Sequence, residues 1–93
     1  MSIRAGTTTV TTAGTAVRVT AQGWNIKAVT FKAKESNVGS AYIGGSDVSS
    51  TNGFELTPAS HHEFVFPAQG KLNWFYVDAA NSNDKIDWLL MSV

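Results

Sequence analysis

The residues able to do chemistry in this chain are few and scattered. The two histidines stand side by side as His61-His62. Adjacent residues on a strand point to opposite faces, so this pair does not converge on one ion. There is no i, i+2 histidine pair and no cysteine to complete a ligand set. No metal site and no cofactor are expected. The carboxylates, Glu35, Asp47, Glu55, Glu63, Asp78, Asp84 and Asp87, are spread along the chain. Nothing in their spacing favours the pair, roughly 5–10 Å apart, that a glycosidase sets across its cleft. Asp47, Asp84 and Asp87 stand beside turn residues, where an aspartate hydrogen-bonds its own backbone. No serine lies in Gly-x-Ser-x-Gly. Gly44-Gly45-Ser46 lacks the lysine and following helix of a phosphate loop, so it reads as a turn. With no catalytic residue assigned, the expectation is a protein that binds or builds rather than an enzyme.

The aromatic residues are the more informative set. Trp24, Trp74, Trp88, Tyr42 and Tyr76 are core residues on the simplest reading of a β protein. In the run Leu72 to Asp78, however, Trp74 and Tyr76 alternate with Phe75 and Val77, so both faces are apolar. The run Lys85 to Val93 is apolar on both faces too, with Ile86, Trp88 and Leu90 opposite Lys85, Asp87, Leu89 and Met91. A strand that is apolar on both sides is covered on both sides. In so short a chain the second cover is expected from another subunit. An outward Trp74 and Tyr76 would form either a buried partner interface or a sugar-stacking platform.

The elements that must position these residues are all strands. No stretch of ten residues holds the i, i+3, i+4 pattern of a helix. Short β-branched and aromatic runs are expected at Thr7–Thr12, Thr15–Ala21, Ile26–Ala33, Ser40–Ile43, Val48–Thr51, Phe54–Thr57, His61–Phe66, Leu72–Asp78 and Lys85–Val93. Asn52-Gly53 predicts a type I′ turn with positive φ at both residues, and Pro67 to Gly70 predicts another turn. The connections are too short for helical crossovers, so the sheets should be antiparallel. The fold class is therefore all-β, a mainly antiparallel β-sandwich or barrel of about eight or nine short strands, with the sandwich favoured. Residues 1–14 are rich in Thr and Gly and poor in large apolar side chains. They read either as an extended arm that orders on a partner or as a frayed edge strand, beside a single sandwich domain at 15–93.

Composition narrows the partners. Seven Lys plus Arg balance seven Asp plus Glu over 93 residues, so no electrostatic footprint for nucleic acid or an anionic membrane is present. Charged residues make up 15% of the chain, below the typical value of about 25%. Thr, Ser, Gly and Asn supply the polar surface instead. No run approaches the roughly 20 apolar residues of a membrane helix, and Met1 to Gly6 has no apolar signal region. Synthesis in the cytosol, with any exit by a route other than signal-peptide export, is the expectation.

The passage Ala41-Tyr42-Ile43-Gly44, Val48-Ser49-Ser50, Asn52-Gly53 and Leu56-Thr57-Pro58 resembles small virion proteins of tailed bacteriophages. The preceding strand Ile26–Ala33 and the following Tyr76-Val77-Asp78-Ala79 fit the same pattern, so the resemblance spans residues 25–93. Members often carry Pro-Gly where this chain has Pro58-Ala59. The resemblance implies a jelly-roll-like sandwich and no catalytic residues. It implies a head decoration or cement protein, or a neck, tail or fibre component, made in the host cytoplasm and carried in the virion. The expected partners are the major capsid protein or other virion proteins and further copies of the chain, as a trimer or another symmetric oligomer. Thr7, Thr9 and Val10 of the arm, with Trp24, Trp74 and Tyr76, are the candidate interface residues. The competing reading is a carbohydrate-binding module that stacks sugars on Trp24, Trp74 or Tyr76.

Overall fold

The computed structural model describes residues 2–93. Alternating runs form eight strands: β1 (Ile3–Thr9), β2 (Val17–Arg18), β3 (Asn25–Ala33), β4 (Ala41–Gly44), β5 (Phe54–Leu56), β6 (His61–Lys71), β7 (Tyr76–Ala79) and β8 (Lys85–Ser92). They make two four-stranded sheets, β1-β8-β3-β6 and β2-β7-β4-β5. Every pairing is antiparallel. The pairs β1·β8, β2·β7, β3·β6 and β4·β5 describe one long hairpin, folded at its middle and rolled up. The β8·β3 and β7·β4 pairings close the roll. This is the jelly-roll sandwich expected from the sequence.

Period-2 alternation decides which side chains enter the sandwich. On β3, Val29, Phe31 and Ala33 point inward, and on β8 Ile86, Trp88 and Leu90 do so from the same sheet. Ala41, Ile43, Leu56, Val77 and Ala79 face them from the second sheet. Phe31 lies at the centre, with ring centroids of Phe75 and Phe64 at 5.1 and 5.8 Å. Trp88 lies over Gly6 of β1, where any Cβ would run into the indole. Its Nε1 donates to Thr8 Oγ1 at 3.3 Å, and Thr8 Oγ1 in turn donates to the Val19 carbonyl at 2.6 Å.

Residues 3–9 take the edge-strand form rather than standing off as an arm, pairing with β8 from Ile3↔Met91 to Thr9↔Lys85. Val10 follows them into the core, its N–H donating to the Asp84 carbonyl and its carbonyl accepting from the Asn83 N–H.

Five local expectations give way. Val48–Thr51 forms no strand. Ser49 and Asn52 exchange both backbone hydrogen bonds, at 3.0 and 3.1 Å, so the turn is centred on Ser50-Thr51. Neither Asn52 nor Gly53 has positive φ. Gly53 is needed instead for close approach, since a Cβ there would lie 2.6 Å from Val48 Cγ2. Pro67–Gly70 is not a turn but part of β6. Ile26 pairs with Gly70 and Ala28 with Val65, so Lys27 alone faces residues 66–69. This wide bulge accommodates Pro67 and folds the Phe66 ring back onto Gly70. Leu72–Trp74 is a 3₁₀ turn rather than a strand. It sends Leu72 into the core and Trp74 outward, so Trp74 and Tyr76 do not share a strand face. Finally, the Asp84 carboxylate does not serve its own turn. It is buried and accepts the N–H groups of Val38 and Gly39, both at 3.0 Å, holding that loop to the start of β8.

Candidate functional site

The outer face of the first sheet is left uncovered by the sandwich and carries several exposed apolar side chains. The register places its side chains in rows across four strands. The first row is Ile3, Met91, Ala28 and Val65. The second is Ala5, Leu89, Thr30 and Glu63. The third is Thr7, Asp87, Lys32 and His61. Ile3 is 67% exposed, Val65 69%, Leu89 49% and Met91 36%. One end of the face is thus apolar across every strand, while the other end is charged.

At the charged end, Asp87 accepts from Thr7 Oγ1 at 2.7 Å and pairs with Lys34 Nζ at 2.9 Å. Partial burial pushes the Asp87 carboxyl up. The Thr7 hydrogen bond, the Lys34 hydrogen bond and charge, and the Lys32 charge outweigh it, and the group is held below the ordinary carboxylate range. The row therefore carries a fixed negative charge on β8 beside the positive Lys32 on β3.

A second exposed feature follows the seam where β5 and β6, the edges of the two sheets, leave the sandwich open. Phe54, His62, Phe64, Phe75, Phe66 and Trp74 form a continuous ladder with ring centroids 4.7–6.4 Å apart. Phe54 and Trp74 are its exposed ends. His61 and His62 point to opposite faces, one into the outer rows and one into this ladder. Among the described residues, no three His, Cys, Asp or Glu side chains form a group that would hold a metal ion.

The six interface residues read from the sequence are not brought together. Thr7 and Thr9 lie on the outer face of the first sheet. Val10 is a core residue. Trp24 is half-buried against Trp88, with the Arg4 guanidinium 4.6 Å from its ring centroid. Trp74 projects from the 3₁₀ turn. Tyr76 lies on the outer face of the second sheet, its hydroxyl accepting from Arg18 Nη2 at 2.8 Å and Nε at 3.1 Å. Leu89 and Met91 were visible as the second apolar face of the Lys85–Val93 run. Ile3 and Val65 carried no comparable signal, because only the register shows that they share a row with Met91 and Ala28.

No family model matches the chain, and no curated protein matches it. Solved structures do resemble it in fold. IMPa from Pseudomonas aeruginosa, solved in complex with an O-glycopeptide, matches 98% of this chain with a TM-score of 0.59 and 10% identity. IMPa metallopeptidase in complex with T-antigen matches 98% of the chain with a TM-score of 0.53 and 10% identity. In both cases this chain spans 12% of the length of the matched protein. At that identity the likeness speaks for the sandwich fold alone.

Proposed function

We propose that this protein is a non-catalytic assembly subunit, a structural virion protein of a tailed bacteriophage that decorates or cements the head shell. The observation that carries this reading is the uncovered apolar end of the first sheet, where Ile3, Leu89, Met91 and Val65 meet solvent side by side. Exposed apolar side chains gathered at one end of a face, rather than scattered singly, are the pattern of an interaction site. The low charge and the resemblance of residues 25–93 to small virion proteins support the same reading. A cement protein works by repetition. A rigid small scaffold presents one modest contact, and the symmetry of the shell multiplies it into avidity. Its partners are then the major capsid protein and further copies of itself.

The test is quantitative proteomics of purified particles from the source. A copy number equal to that of the major shell protein, or a simple fraction of it, is expected. A handful of copies per particle would move the protein to the neck, tail or fibre, and absence from particles would overturn the reading.

A second reading, a carbohydrate-binding module, draws on Trp74, which is 57% exposed and braced edge-on by Phe66 at 6.4 Å. It requires tryptophan fluorescence to shift on adding glycans and Trp74→Ala to abolish that shift. A flat response across a glycan panel removes it.

A further inference from the structure

We infer that the outer face of the first sheet is closed by the same face of a second copy, related by a two-fold axis that runs along the strands between β8 and β3. The inference rests on the assembly reading and names the first partner of its apolar surface. Such an axis keeps each row on its own row and exchanges the two halves of the sheet. β8 then faces the partner's β3, and β1 faces the partner's β6.

The rows match under this operation. In the first, Met91 meets the partner's Ala28 and Ile3 meets the partner's Val65. In the second, Leu89 meets the partner's Thr30. On the two central strands each long side chain therefore opposes a short one, which is what facing sheets need to interdigitate. In the third row Asp87 meets the partner's Lys32, and Lys32 meets the partner's Asp87. The charged end thus forms two opposite-sign contacts rather than two like-sign ones. An axis lying across the strands through the second row would instead set Met91 against Asp87 and strand the apolar row on charges.

Four strands about 4.8 Å apart and seven residues long outline a face of roughly 450 Å². That is below the roughly 600 Å² per partner at the low end of standard interfaces, so the contact belongs to the small, weak class. A patch that matches itself specifies a two-fold contact.

Sedimentation equilibrium of the full chain, from about 1 to 500 μM, tests the inference. The wild type should be a dimer with a dissociation constant in the micromolar range. Leu89→Asp and Val65→Glu alter exposed positions. Each should weaken the dimer by at least about 100-fold while leaving the near-ultraviolet circular dichroism unchanged. Asp87→Lys should weaken it about 10-fold, and adding Lys32→Asp should restore it. A monomer at every concentration overturns the inference, as does an oligomer indifferent to Leu89→Asp and Val65→Glu. Either failure is distinct from failure of the assembly reading, which copy number in particles decides separately.

Discussion

At the scale of single residues, two side chains make their energetics testable. Asp87 has a folded-state affinity for protons that is lowered by Thr7, Lys34 and Lys32 against the opposing effect of burial. Its contribution is present above the unfolded carboxylate value and is lost as pH falls through the lower folded value. Asp87→Asn should therefore cost about 0.5–1 kcal/mol near neutral pH, the scale of a surface ion pair. The gap to wild type should close below about pH 4, measured by urea unfolding at both pH values. Ala59 is the other case. Thr57 accepts the Ser60 N–H at 2.8 Å, and Pro58 and Ala59 are the central residues of that turn. Ala59 has φ 73°, as the third residue of a type II turn requires. Glycine adopts this conformation freely. Ala59→Gly should raise stability by up to about 1 kcal/mol, seen as a higher urea midpoint at constant slope.

At the scale of elements, period-2 alternation sorted the side chains of β3, β6 and β8 into two faces without knowledge of partners, but which face is core needed the second sheet. The same pattern displayed the second apolar face of β8. What the sequence concealed were positions where tertiary contact outweighs local preference. Asn52-Gly53 has the best hairpin chemistry in the chain, yet the bend falls at Ser50-Thr51 because Gly53 is held beside Val48 and Tyr42. Leu72–Trp74 has strand-forming residues, yet it winds into a turn that buries Leu72. Residues 3–9 have too few large side chains to decide between an arm and an edge strand, and only Thr7 onward carried a β-branched run. Their role is backbone pairing and a glycine floor for Trp88, neither of which alternation can show. Deleting residues 2–9 should therefore abolish cooperative unfolding by uncovering Trp88 and the ladder partner of β8. A folded, cooperatively melting truncation, followed by tryptophan fluorescence, would contradict this placement.

At the scale of the molecule, almost every strand pairing joins distant parts of the chain, so a jelly roll forms only when its two halves have found each other. The surface this creates is sorted by face. The open seam between β5 and β6 collects aromatic rings, one outer face divides into apolar and charged ends, and the candidate site belongs to that division rather than to any motif. The outermost pair of the roll, β1·β8, has one more effect. Ser92 N–H donates to the Ser2 carbonyl at 2.9 Å, Ser2 N–H donates to Ser92 Oγ at 2.8 Å, and Val93 N–H donates to the Asn25 carbonyl at 3.1 Å. Both ends of the described chain thus come to the surface at one point. A linker of a few residues from Val93 back to Ser2 would turn β8 and β1 into an ordinary hairpin, leaving the exposed bend at Gly45-Ser46 free to be cut open as new ends. The same closeness lets such a unit be spliced into a loop of a larger polypeptide, whose chain would enter and leave it through a single doorway.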